Sequence, residues 1–372
     1  MKMKHLKGIA LAAAAVVGLA ACGGSSSSSD TTAAAGGDYS NLKVAVVYIG
    51  VPGDAGYTYQ HDQGIAALEA ELGITVTRLE NIPEGAESAA TFDQLAAEGY
   101  NLIFGTSFGY MDPMLEVSAK YPDTCFSHAT GYKTSTNLGT YFGAAEEARY
   151  LSGIAAGAAS PTGKLGYVAA FPIPEVVRGL NAFTLGARSV NPEATVQVTW
   201  TSTWFDPAKE KEAAQALLQA GADVLGMHQD STATGEAAME AGAKWVGYNS
   251  DTLAGNFPDT WLTAPIWDWG PYYINAAKSF AGGTCDVSQY YGNMADGTVK
   301  LGTFGSSVSA ETQALIAEKA AAIIDGSFAP FTGPINDNTG KEVIPAGKSA
   351  TYGELMSQNF LVEGVVGEIP AS

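Results

Sequence analysis

Lys43-Val44-Ala45-Val46-Val47-Tyr48-Ile49-Gly50 reads as a strand without polar alternation. A strand of that kind is covered on both of its faces, as in a parallel sheet. An amphipathic stretch over 57–72 follows it. The alternation then repeats, with a strand at 74–82 before a helix at 87–98, and a strand at 101–106 before a helix at 112–120. A second series begins with the strand 164–171 and passes through helix 175–190, strand 195–203, helix 208–220, strand 223–229, helix 235–241 and strand 245–250. Strand and helix in strict succession predict an α/β fold with two doubly wound parallel-sheet lobes.

The two series read as copies of one plan. Glu98-Gly99-Tyr100-Asn101-Leu102-Ile103 parallels Ala220-Gly221-Ala222-Asp223-Val224-Leu225, and the first helices carry His61-Asp62-Gln63-Gly64 and Val176-Val177-Arg178-Gly179. Duplication at the scale of a lobe is the simplest account. Beyond the second series come a helix at 272–281, a strand at 298–303, a helix at 311–325 and a turn-rich run at 331–345. Elements placed after two complete lobes require the chain to pass back between them. The expected organisation is lobe 1 from 40–160 plus about 270–297 and lobe 2 from 161–262 plus about 304–372. Hinge crossings are expected near 160–164, 262–269 and 298–304, and several crossings permit closure about a ligand without wandering.

The N-terminus is basic at Lys2, Lys4 and Lys7, apolar from Gly8 to Ala21, and ends in Leu19-Ala20-Ala21-Cys22. That layout predicts a lipoprotein signal peptide over 1–21 with Cys22 as the lipidated residue. The apolar run is too short for a membrane span. Residues 22–39, rich in Ser, Gly, Ala and Thr, read as a flexible lipidated tether. The expected location is therefore the cell envelope, outside the cytoplasm and held to the membrane by lipid alone. With 19 Lys+Arg against 38 Asp+Glu the net charge is −19, which argues against nucleic acid as a partner. Cys125 and Cys285 lie far apart in sequence, and two buried free thiols are expected in preference to a disulfide. His5, His61, His128 and His228 share no ligand spacing, so neither a metal nor another cofactor is expected.

In doubly wound sheets a ligand sits beyond the carboxyl ends of the strands, where helix N-termini also point. The loops at that edge hold Asp54, Gly56, Tyr57, Ser107 and Phe108 in the first lobe. In the second they hold Phe171, Trp204, Phe205, Asp206, Gln229, Asp230, Asn249 and Asp251. Aromatic faces beside carboxylate and amide groups suit a flat, polar, weakly charged ring. All six tryptophans fall between Trp200 and Trp269. Trp200 and Trp245, inside predicted strands, read as core, whereas Trp204, Trp267 and Trp269 stand at a strand end or in a crossing, where they can reach a ligand.

Gly105-Thr106-Ser107-Phe108-Gly109 matches G-x-S-x-G between a strand and a helix, the setting of a hydrolase nucleophile. A serine hydrolase using Ser107 would draw its histidine from His128 or His228 and its acid from Asp206, Asp230 or Asp251. With 44 glycines in the chain, a glycine-flanked ligand loop offering Ser107 and backbone N–H groups explains the same residues, and no enzymatic activity is expected. His61 and Asp62, adjacent on a helix, face apart and read as structural. Arg178 and Arg188 read as solvated or ion-paired.

Taken together, Gly53-Asp54-Ala55-Gly56-Tyr57, the Gly105–Gly109 loop, Tyr150-Leu151-Ser152-Gly153-Ile154-Ala155-Ala156-Gly157 before Gly163-Lys164-Leu165-Gly166, and Gly247-Tyr248-Asn249-Ser250-Asp251 resemble one family. It is the basic membrane protein group of substrate-binding lipoproteins, similar to the PnrA-like purine nucleoside receptors of ABC transporters. The resemblance runs from about Leu42 to Val365 and implies a type I periplasmic-binding-protein fold. It further implies ligand capture between the lobes and delivery to a membrane permease. The positions it implies for the base are Asp54, Tyr57, Trp204 and Asp251, with Ser107, Phe108, Phe171, Gln229 and Trp267 completing the expected ligand-binding set. Trp267 stands where nucleoside-binding members carry a ribose-directed lysine, and Thr58 replaces an asparagine. Those departures favour a free purine base such as adenine over a nucleoside. A monomeric uptake receptor is expected, with a receptor that signals to a membrane partner as the alternative.

Overall fold

A computed structural model describes residues 39–371. The expected signal peptide at 1–21, Cys22 and all of the expected tether but its last residue lie outside the described residues. The first series forms β1 (Val44–Val47), α1 (Tyr57–Leu72), β2 (Val76–Leu79), α2 (Ala86–Ala97), β3 (Leu102–Gly105), α3 (Met111–Ser118), β4 (Cys125–Ala129), β5 (Leu138–Gly143) and α4 (Ala145–Ala159). The second forms β6 (Lys164–Ala169), α5 (Pro174–Val190), β7 (Thr195–Trp200), α6 (Pro207–Gln219), β8 (Val224–His228), α7 (Ala233–Ala241), β9 (Lys244–Val246) and β10 (Trp261–Thr263). There follow β11 (Pro265–Trp267), α8 (Gly270–Ala281), β12 (Gln289–Gly292), β13 (Val299–Leu301) and α9 (Ala310–Ile324). The described chain ends with β14 (Ile335–Asn336), β15 (Glu342–Ile344), α10 (Tyr352–Met356) and β16 (Val365–Val366).

Two parallel six-stranded sheets result, ordered β12-β5-β4-β3-β1-β2 and β10-β9-β8-β6-β7-β16. Without their late additions β12 and β16, the two share one strand order, as the duplicated sequence requires. The duplication extends to single hydrogen bonds. Tyr100 N–H caps Leu95 O and Ala222 N–H caps Leu217 O. The intervening Gly99 and Gly221 adopt φ of 81° and 100°, a region that only glycine enters without cost. The unalternating run of β1 is explained by its two covers: Val44 and Val46 pack into one core while Ala45 and Val47 pack into another.

Three crossings join the sheets. Between β5 and α4 the chain passes through Ala144, whose N–H donates to Gly292 O at 2.7 Å. The other two crossings include β11 and β13, which pair antiparallel, Pro265 opposite Leu301 and Trp267 opposite Val299. The division at 160–164 differs from the path observed. Helix α4 follows β5 of the first sheet yet packs along α5 of the second, and its Leu151, Ile154 and Ala155 belong to the second lobe's core. The turn at 160–164 thus connects α4 to β6 inside the second lobe. Glycines permit this: a Cβ at Gly157 would stand 2.5 Å from Ala187 O, and Cβ atoms at Gly153 and Gly186 would collide with the carbonyls of Phe183 and Tyr150. Helix α8 makes the reciprocal exchange, following the second sheet and packing on α1.

Cys125 and Cys285 form a disulfide, with Cα atoms 5.6 Å apart. This corrects the expectation of free thiols. Parallel pairing of β12 with β5 brings the segment before β12 over the start of β4, a proximity that 160 residues of intervening sequence conceal. Disulfides persist in oxidising compartments, which agrees with work outside the cytoplasm. No helix among the described residues is long and apolar enough to cross a membrane.

Two tests follow from the helix exchange and the hinge. Gly186→Ala should lower unfolding free energy by about 3 kcal/mol in denaturant titration, because backbone rather than a movable side chain blocks the methyl. Glu147, at the first crossing, accepts Met294 N–H at 2.8 Å. Burial pushes its carboxyl from 4.5 up to about 7, against the Met294 hydrogen bond and with Glu146 and Asp296 adding to the rise. The folded state therefore holds this proton more tightly than the unfolded chain. Its stabilising contribution is complete below pH 4.5 and is lost as pH rises through about 7. Glu147→Gln should melt above the parent at alkaline pH, and the gap should shrink on acidification toward the ordinary glutamate value.

Candidate functional site

The carboxyl ends of both sheets face one cleft. Its narrow inner chamber is lined by Ile49, Tyr57, Ser107, Phe108 and Thr130 from the first lobe and Glu175, Trp204, His228, Asp230 and Tyr248 from the second. An outer space of about 880 Å³, open to solvent, adds Asp54, Thr58, Glu84, Phe171, Thr203 and Phe205. Neither space is lined by Lys or Arg among the described residues. The cleft surface thus presents carboxylates and aromatic rings and no cation, which disfavours anionic ligands.

Local structure fixes each group. Asp54 is the first-turn anchor of α1, accepting N–H from Gly56 at 2.8 Å, Thr58 at 2.9 Å and Tyr59 at 3.0 Å. Burial raises its pKa, and those three donors oppose the rise. Tyr57, one residue into the helix region, is buried with its hydroxyl unpartnered by protein. Ser107 donates to Glu84 Oε1 at 2.6 Å, and the same oxygen accepts Gly109 N–H at 2.7 Å. His128 Nε2 bonds the main-chain oxygen of Ser107 at 2.7 Å rather than its hydroxyl, so the serine has a carboxylate and no histidine beside its Oγ. A hydrolase triad is not assembled there.

On the opposite wall Trp204 meets Phe171 edge-on, ring centroids 5.0 Å apart. Asp230 N–H donates to Trp204 O at 3.1 Å and ties the two loops together. Asp230 lines both the chamber and the outer space. Burial holds its carboxyl well above the usual range, Asp54, Glu210 and Glu175 add to the effect, and Asn249 opposes it. Asn249 Nδ2 donates to Asp230 Oδ1 at 3.2 Å, which leaves acceptor capacity for an N–H from a ligand. Burial pushes the His228 imidazole down to about 4. The neutral ring lies 3.3 Å from Glu175 through Nε2 and 4.5 Å from the ring of Tyr248.

Three expected residues stand away from the chamber wall. Gln229 is fully buried and donates to Thr201 Oγ1 at 2.6 Å, supporting the loop that carries Trp204. Asp251 accepts Thr303 N–H at 2.7 Å and fastens the hinge. Trp267 is buried in the hinge sheet, stacked on Trp269 at 4.9 Å, and donates from Nε1 to Asn249 Oδ1 at 2.9 Å. Through Asn249 it orients Asp230. Tyr57, Ser107, Phe108 and Trp204 are brought together in the chamber, with Asp54 and Phe171 just outside. Glu175, His228 and Tyr248 are chamber residues that reading the loops missed, because each lies inside or directly against a regular element. Pro174-Glu175, a proline at the first helical turn with an acid next to it, was the available signal for the first.

Two parallel-sheet lobes, a multi-strand hinge and an interlobe chamber at the sheets' carboxyl edges define a periplasmic-type solute-binding protein. A solute-binding protein from Aeropyrum pernix K1 shares this fold, with a TM-score of 0.69 at 19% identity over 80% of this chain and 93% of that one. The chain belongs to the PnrA-like family of ABC transporter substrate-binding proteins, whose model matches residues 41–331. A purine-binding protein of Brucella abortus (strain 2308) is 44% identical over 331 residues, 88% of this chain and 94% of that protein. A putative ABC transporter glucose-binding protein of Haloferax volcanii is 40% identical, covering 89% of this chain and 82% of that protein. Members of this family bind substrates rather than transform them, and they work outside the cytoplasm.

Proposed function

We propose that this protein captures a neutral purine, a free base such as adenine before a nucleoside, and hands it to an ABC permease for uptake. The observation that carries the reading is the chamber's composition: two aromatic walls and buried carboxylates, with no lining cation. Asp230 and Glu175 accept from ring or exocyclic N–H groups, Tyr57 Oη meets a ring nitrogen, and Trp204 with Phe108 offers apolar faces. The likeness to the Brucella purine-binding protein supports the same class. In this reading the protein acts as a monomer, and Cys22, lipidated after removal of 1–21, keeps it near its permease through the tether.

A sugar is the second reading, favoured by the likeness to the Haloferax protein and by the same pairing of aromatic faces with carboxylates. Calorimetric titration with adenine, hypoxanthine, guanine, adenosine and glucose separates the readings. Adenine should bind with a Kd of about 1 μM or tighter. Tight adenosine without adenine would overturn the free base, and glucose alone would overturn the purine. Trp204→Ala should weaken purine binding by about 2 kcal/mol in a folded protein. Cys22→Ser should move the protein from the membrane fraction to the soluble extracytoplasmic fraction.

A further inference from the structure

Beneath the chamber, three polar atoms without a hydrogen-bond partner in the protein converge on one glycine. A Cβ built on Gly179 would stand 3.5 Å from Arg149 Nε, 3.5 Å from His228 Nδ1 and 3.7 Å from Tyr167 Oη. All three atoms are buried and unpartnered. Arg149 and Tyr167 are fully buried and His228 is 4% exposed. Elsewhere on the guanidinium, Nη1 donates to Met227 O at 2.7 Å and the plane lies over the Tyr248 ring at 3.5 Å, while Nη2, like Nε, is buried without a partner. Leaving a buried Nε–H, a hydroxyl and an imidazole nitrogen unpaired together would be costly.

The chemistry of the three atoms names what pairs them. His228 Nε2 faces the Glu175 carboxylate, so the proton of a neutral ring belongs on Nε2 and Nδ1 presents a lone pair. Arg149 Nε is a donor only, and Tyr167 Oη gives or accepts. An anion would meet the Nδ1 lone pair head-on, whereas a water molecule accepts from one side and donates to the other.

We propose that Gly179 opens a buried hydration site in which one ordered water accepts from Arg149 Nε–H, donates to His228 Nδ1 and completes its shell at Tyr167 Oη. Arg149, Tyr167 and Gly179 are then positioning residues. They lock His228 in the tautomer that directs Nε2–H at Glu175, which turns the second Glu175 oxygen free for a ligand in the chamber. The site stands on these residues whether or not the ligand is a purine.

The substitution that tests it is Gly179→Ala, since the added methyl meets only ordinary contact distances and takes the water's place. A crystal structure of the parent should show a density peak within hydrogen-bond distance of all three atoms. Proton-detected nitrogen NMR of histidine-labelled parent should show His228 with Nε2 protonated and Nδ1 an unprotonated, hydrogen-bonded acceptor. In folded Gly179→Ala the Nδ1 resonance should move toward a free lone pair, while Tyr167→Phe should leave it in place. Where the parent binds adenine, Gly179→Ala should bind about tenfold more weakly; a parent that ignores adenine refutes the purine and leaves the water site standing. An unaltered His228 resonance in folded Gly179→Ala, no peak in the parent crystal, or an anomalous bromide signal at the site after a soak would each overturn the proposal. If Gly179→Ala fails to fold, the parent crystal and its NMR decide alone.

Discussion

The close approach of α4 to α5 is the constraint on which the rest of the molecule depends. Backbone meets backbone along this seam because Gly153, Gly157 and Gly186 carry no side chain. It converts a tandem duplication into an exchange: each half builds five strands and gives its next helix to the other half. The exchange forces the chain to cross between lobes after β5 and again after β10, and the return to the second lobe adds a third crossing. A hinge of three strands of chain follows from the topology, with no special flexible sequence needed. Such a hinge bends about one axis, and a cleft closed that way brings the same residues together each time.

The seam also places charge. Arg149 sits on α4, and only the exchange carries it under the second sheet, where its guanidinium stacks on Tyr248 and bonds Met227 O. Glu146, one turn earlier, pairs with Arg178 at 3.1 Å and accepts from Tyr291 Oη of the first lobe's edge at 2.8 Å. One helix thus supplies the cation behind the chamber and a carboxylate that ties the two lobes. Buried pairs of this kind contribute little net stability against an apolar alternative, but breaking one partner leaves an uncompensated charge. Their effect is to fix which packing is allowed.

The sequence made the sheets legible because parallel strands covered on both faces leave an unmistakable apolar run, as at Val44–Val47. The duplicated Gly99 and Gly221 turns likewise announce themselves locally. What stayed hidden was long-range. Nothing within Ala145–Ala159, rich in small residues and buried over most of its length, says against which lobe it packs. The Cys125–Cys285 bond depends on β12 joining β5, a pairing of segments that no local pattern specifies. At the site, residues standing free at strand ends, Ser107, Phe108, Trp204 and Phe171, could be read from the loop assignments. Asp251 is expected at the ligand because it follows a strand and Trp267 because it stands in a crossing at the family's lysine position, whereas in the fold one holds Thr303 N–H and the other bonds Asn249, the partner of Asp230.

The duplicated glycines at Gly64 and Gly179 show how one ancestral solution diverged into two. Both lie on the first helix of their lobe and face the helix exchanged from the other half. Over Gly64 that helix brings Trp269 and Tyr273, and a Cβ there would stand 2.8 Å from each. The lobe is closed by aromatic packing: His61 stacks on Trp269 at 5.0 Å and bonds Tyr273 Oη at 2.6 Å. Over Gly179 the exchanged helix brings Arg149, and polar atoms surround the glycine at distances that exclude nothing. The same backbone gap serves dense apolar contact in one lobe and polar contact in the other. The first helix of one lobe thus rests on aromatic rings, and that of the other rests on polar groups behind the chamber wall. For the purine proposed above, selectivity among flat ligands of similar size would rest on the His228–Glu175–Asp230 wall together with the Tyr57 hydroxyl of the first lobe.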